Sequence, residues 1–178
     1  MAIGILLSIA VVFVFIFVYN YFARKKNQVY NVSASLDALL KKRYDLIPNL
    51  VEVVKGYAAF EQKTLENIVR LRSEGMRAAG ISEKGYVSAK TTQGITQVLA
   101  LAEKYPLLKA DGQFRFLQAS LNEVEEQISA GRRAYNASVM DINTALAVFP
   151  LNLFGKLYRV KPFLFFSISD EERRAPTV

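Results

Sequence analysis

Residues 112–149 read GQFRFLQASLNEVEEQISAGRRAYNASVMDINTALAVF, and their apolar period decides the fold. Phe114, Leu117, Leu121, Val124, Ile128, Tyr135, Val139, Ile142, Leu146 and Phe149 recur mostly at three- and four-residue spacings, with Gly131 and Arg132 at the one missing position. That period turns with an α-helix and gathers the apolar side chains into one stripe. A stripe of this length needs near-parallel helical partners to cover it. Asp111 is placed to cap the start of the helix, and Pro150 ends it.

Upstream, Leu50, Val54, Tyr57, Leu65, Ile68 and Leu71 mark a second helix that opens at Pro48 and ends by Gly80. Val29, Val32, Leu36, Leu39 and Leu40 mark a shorter one continuing from the N-terminal apolar stretch. Between Ser82 and Lys104 a fourth is expected, with Ile95, Val98, Leu99, Ala102 and Tyr105 as its apolar face and a polar first half, Ser88 to Gly94. The link Arg43–Leu50, RYDLIPNL, has a Pro but no Gly or Ser. Pro48 either reverses the chain in a tight apolar turn or kinks one very long helix, and reversal is the preferred reading. Alternating helix directions would then start the tail after Pro150 near the bilayer.

A bilayer enters through the N-terminus. From Ile3 to Phe22 no residue is charged, and about twenty residues at about 1.5 Å each span a hydrocarbon core of about 30 Å. Tyr19 and Tyr21 sit at one end, and Arg24, Lys25 and Lys26 follow. A cleaved signal peptide fits poorly, because the n-region lacks Lys and Arg and basic residues stand where cleavage would occur. The expectation is an uncleaved single-pass membrane anchor. Its N-terminus is outside, and Arg24, Lys25, Lys26 and the bundle are in the cytoplasm. Gly4 and Ser8 have small-xxx-small spacing, which is common by chance.

The fold class expected is therefore all-α: an N-terminal transmembrane helix, an antiparallel four-helix bundle, and a short irregular apolar C-terminal tail. The boundaries are 1–23 for the anchor, 24–149 for the bundle and 150–178 for the tail.

Charge and composition narrow the function. The chain has 178 residues, a net charge of +7, no Cys and no His. Disulfides, thiolate nucleophiles, imidazole chemistry and the usual zinc sites are excluded. The excess charge lies mostly beside the anchor and in the tail, while residues 27–149 are nearly balanced, so nucleic acid is not an expected partner. Glu123 and Glu126 lie one turn apart, but a di-iron bundle also needs Glu-x-x-His, so they read as a solvated face. Asp45 reads as a cap or an ion-pair partner. No cofactor, metal or small-molecule substrate is indicated.

In the tail, Lys156, Arg159 and Lys161 interleave with apolar residues before the run Phe163-Leu164-Phe165-Phe166. With Arg24, Lys25 and Lys26, the residues Lys156, Arg159, Lys161, Phe163, Phe165 and Phe166 are candidates for a membrane or subunit interface. The tail docks on anionic lipid, on a neighbouring subunit or on its own bundle.

Several motifs in order resemble the bacterial LemA family. They are Arg43-Tyr44-Asp45-Leu46-Ile47-Pro48-Asn49-Leu50 running on to Gly56-Tyr57, Glu61 with Thr64-Leu65-Glu66, Ala102 to Ala110 with Tyr105-Pro106, and Arg132-Arg133-Ala134-Tyr135-Asn136. Phe149-Pro150, Phe154-Gly155 and the closing Ala175-Pro176-Thr177-Val178 agree as well. Phe60 departs from the family, which usually has His there, and residues 80–94 match poorly. The resemblance implies a membrane-anchored helical bundle with no established catalytic activity. The leading functional expectation is a homo-oligomeric scaffold or membrane organiser. A monomeric adaptor recruiting another membrane protein, such as a protease complex, is second. A lipid hydrolase working through carboxylates is third.

Overall fold

In the computed structural model, which describes residues 2–167, helix α1 runs unbroken from Ala2 to Tyr57. The reversal expected at Pro48 does not occur. Proline has no N–H for the carbonyl four residues back, so a helix through Pro48 leaves the Tyr44 carbonyl without its usual partner. Nε of Arg72 donates to that oxygen at 2.9 Å, and the helix continues. The chain reverses later, at residues 58–61, where the Glu61 N–H donates to the Ala58 carbonyl at 3.1 Å. The single helix expected from Pro48 to Gly80 is thus the end of α1 followed by α2, Gln62–Arg77.

Helix α3, Ile81–Ala100, ends in a 3₁₀ turn at Leu101–Glu103, and the short α4, Pro106–Ala110, leads into α5, Gly112–Ala147. The Phe114 N–H donates to Asp111 Oδ1 at 2.8 Å, the cap expected of Asp111. The tail is not wholly irregular, because α6, Leu151–Leu157, follows a cis Phe149-Pro150 bond and bends 94° from α5. Among the described residues there is no strand.

The chain divides into two compact units. The first comprises residues 35–132 and 165–167. It is an up-down-up-down bundle, as residue pairings show. Tyr44 on α1 meets Arg72 on α2, Ile68 and Leu71 on α2 lie against Gly94 on α3, and Asp37 and Arg43 on α1 pair in order with Lys84 and Ser88 on α3. On α5, Glu125 and Gly131 meet Arg43 and Leu36 in reverse order. Leu36, Ile47, Leu50, Val54, Ile68, Val98, Phe114 and Val124 are buried between the helices. Each such side chain removed from water contributes about 1.5–3 kcal/mol.

The other unit comprises residues 2–34 and 133–164. Val18, Phe22 and Val29 of α1 and Tyr135, Val139, Ile142 and Ala145 of α5 are buried. Every side chain from Ile3 to Phe17 is exposed, an apolar surface that water would not tolerate at this length. Lys25 pairs with Asp141 at 2.7 Å, and the hydrogen bond to that carboxylate, opposed by partial burial, raises the Lys25 pKa.

Candidate functional site

Arg43 is fully buried in the bundle. Its Nη1 donates to Glu125 Oε2 at 2.8 Å and to Thr92 Oγ1 at 3.0 Å, and its Nη2 donates to Ser88 Oγ at 2.9 Å. A cation removed from water requires such partners, since an unpaired one would cost several kcal/mol or more. Among the described residues, Nε of Arg43 has no hydrogen-bond partner. Beside the network lies a cleft of about 320 Å³ that Thr92, Gln93, Glu125, Ile128 and Phe166 help to line. Arginine, hydroxyls and one carboxylate bind one another here, an arrangement suited to fixing the register of α1, α3 and α5. Arg43 is marked in the sequence by the family resemblance and α3 by its polar half, Ser88 to Gly94, whereas Glu125 carries no sequence signal.

At one end of the bundle, the signature residues Tyr57 and Glu61 meet groups far away in sequence. The Tyr57 hydroxyl donates to Asp111 Oδ2 at 2.9 Å, and Lys104 Nζ lies 3.8 Å from Glu61 Oε1. Tyr105 precedes α4, and Pro106 is its first residue. The Phe114 N–H first, and then the Tyr57 hydroxyl, hold the Asp111 carboxyl below its ordinary pKa, while the hydrogen bond to Asp111 raises that of Tyr57.

The other singled-out residues are distributed along the fold. Asp45 pairs with Lys41 at 2.6 Å on the surface of α1. Asn49 and Gly56 are exposed, as are Glu123 and Glu126. Arg133 is exposed and Asn136 half-buried, whereas Tyr135 is buried and its hydroxyl donates to the Leu164 carbonyl at 3.0 Å. Asn143 clamps the Phe163 backbone with two bonds of 2.9 Å, and the Phe163 ring meets Tyr30 edge-on. Phe165 is exposed, while Phe166 is buried in the bundle. Arg24, Lys26, Lys156, Arg159 and Lys161 are exposed. The closing motif Ala175-Pro176-Thr177-Val178 lies outside the described residues.

After Pro150 the chain begins against the apolar span. Helix α6 packs on Val18 and Phe22 through Leu151, Phe154 and Tyr158. The Phe154 ring stands edge-on to Phe15 at 5.2 Å, Tyr158 edge-on to Tyr19 at 5.6 Å, and the Tyr158 hydroxyl donates to the Phe15 carbonyl at 3.0 Å. Gly155 lies under Leu146, where a Cβ would come within 2.6 Å of a methyl.

Three relatives place the chain among known proteins. Magnetosome protein MamQ 2 of Paramagnetospirillum magneticum is 22% identical over 85% of this chain, and the match spans 65% of that protein's length. Magnetosome protein MamQ of Magnetospirillum gryphiswaldense is 21% identical over 93% of this chain and 71% of its own. Protein LemA of Metamycoplasma hominis is 27% identical, over 86% of this chain and 71% of its own. None of the three is named as an enzyme. Together with the exposed apolar helix, these similarities mark a membrane-associated protein. Residues 32–178 match the LemA family, and with most of its length so covered the chain belongs to that family.

Proposed function

We propose that this protein is a non-enzymatic scaffold of the bacterial inner membrane, acting by homo-oligomeric assembly through its bundle. The observation that carries its membrane attachment is α1 itself. One helix supplies both an exposed apolar stretch, Ile3–Phe17, and the buried bundle residues Leu36 to Val54. The bundle is thereby fastened to the membrane by its own core helix. Arg24, Lys25 and Lys26 support a cytoplasmic bundle with the N-terminus outside. Kinship with proteins named for the magnetosome supports a structural role.

Light scattering of the full-length protein in mild detergent tests the reading, and a discrete assembly is expected. Because the chain has no Cys, a Phe116→Cys variant allows crosslinking in native membranes, with self-crosslinks expected. A strict monomer at high concentration overturns self-assembly. A single dominant band with a foreign membrane protein would instead identify an adaptor.

A further inference from the structure

Helix α6 is the part of the molecule that a single anchor does not explain. It is flanked by Pro150 and Tyr158 and rests on α1 between Phe15 and Phe22, inside the uncharged stretch. Between those two residues α1 rises about 10 Å. If α6 stood in water, only Ile3 to Val14 would be left to cross the bilayer, about 18 Å against a hydrocarbon core of about 30 Å. Seating the whole stretch from Ile3 to Phe22 carries α6 into the leaflet that borders Arg24.

The surface of α6 suits that position. Leu153 and Leu157 are more than half exposed on its outer side, and Val148 and Phe149 are exposed just before it. The Tyr158 hydroxyl has the Phe15 carbonyl as its acceptor, so it needs no water at that depth. Lys156, Arg159 and Lys161 are exposed close by in sequence, and Arg24 and Lys26 are exposed after the span. The nearby acidic group Asp141 is paired with Lys25. Long basic side chains reach up from an embedded helix to the headgroup layer, where anionic lipid attracts them.

We propose that α6 is a second membrane element, embedded in the leaflet beside Arg24–Lys26. Leu153 and Leu157 lie among acyl chains, and Lys156, Arg159 and Lys161 meet anionic headgroups. The inference rests on the reading of α1 as a membrane span, and its test separates the two.

Full-length Leu153→Cys and Leu157→Cys variants carry an environment-sensitive fluorophore, in vesicles of equal phosphatidylcholine and phosphatidylglycerol. Ile9→Cys reports on the span and Phe116→Cys on the bundle. Lipids brominated at a shallow position should quench the labels at 153 and 157 severalfold more than the label at 116, and aqueous iodide should show the reverse order. Iodide quenching at 153 and 157 with lipid quenching at 9 overturns the α6 proposal and leaves the anchor intact. Iodide quenching at position 9 overturns the span itself. Labels at 153 and 157 shielded from both quenchers would mean that a second copy of the chain covers α6, which also overturns the proposal.

Discussion

The carbonyl oxygen of Tyr44 accepts a 2.9 Å hydrogen bond from Nε of Arg72, taking the place of the amide proton that Pro48 lacks. An interior proline costs a helix about 3 kcal/mol, and part of that cost is the freed carbonyl. Arg72 satisfies it from the neighbouring helix, so the proline joins α1 to α2.

This makes Arg72 and Pro48 energetically coupled. Arg72→Met should destabilise the bundle by about 1–3 kcal/mol, the range for a buried acceptor left unsatisfied. In a Pro48→Ala background the residue at 48 regains its N–H and the loss should shrink to less than about 1 kcal/mol. Chemical denaturation of the four proteins of this cycle, followed by circular dichroism, checks it. Equal losses in both backgrounds would count against the coupling.

Gly75 on α2 lies so close to the Tyr44 ring that a Cβ would overlap it. Alanine is intrinsically the better helix former by about 1 kcal/mol. The overlap falls on ring atoms of the buried Tyr44, which must shift to admit a methyl, so Gly75→Ala should nevertheless destabilise by about 1–3 kcal/mol. Adding Tyr44→Leu removes the overlapping ring atoms, and thermal melts should show the double variant losing less than the sum of its two single changes.

The pair Tyr57–Asp111 predicts a pH window. Asp111 has a lowered pKa in the fold, so its contribution is present above about pH 4 and is lost as pH falls through the folded value. Tyr57 has a raised pKa, so its contribution is present below about pH 10 and is lost as pH rises through the folded value. Asp111→Asn should therefore flatten the acid limb of a plot of melting temperature against pH, and Tyr57→Phe the alkaline limb. Both effects should be small, because water competes at an exposed pair.

Glu125→Gln leaves the buried guanidinium of Arg43 facing a neutral partner. Because the Glu125 side chain is 40% exposed and Gln keeps an acceptor, it should destabilise by about 1–2 kcal/mol, less than the loss of one member of a fully buried pair. The double change Arg43→Leu with Glu125→Leu should recover much of that loss, since neither charge then needs a partner. Denaturation midpoints of the two variants measure the difference.

How much of this was legible beforehand depended on the range of the interaction. The helix from Gly112 was readable almost to its last residue, because its period and its cap at Asp111 are local. The uncharged run from Ile3 was readable for the same reason. The reversal expected at Pro48 does not occur because a proline's local effect is only part of the balance: the donor that rescues the helix comes from Arg72, 28 residues beyond the Tyr44 carbonyl. In the candidate site, Arg43 stood out by resemblance, but Glu125 is 82 residues away and looks like any solvated glutamate on an amphipathic face. Glu123 and Glu126 are exposed, as their place opposite the apolar stripe implies.

By itself, then, the sequence determined that the chain is helical, which stripe of each helix is apolar, and where an uncharged stretch is long enough for a bilayer. Side-chain periodicity and local capping are properties of neighbouring residues. Only the tertiary structure decided that α1 continues through Pro48, that Arg43 finds Glu125, and that Tyr158 reaches the Phe15 carbonyl 143 residues before it. Each of these outcomes turns on a polar group that must find a partner when water is withdrawn, and that partner comes from whichever helix the packing brings alongside.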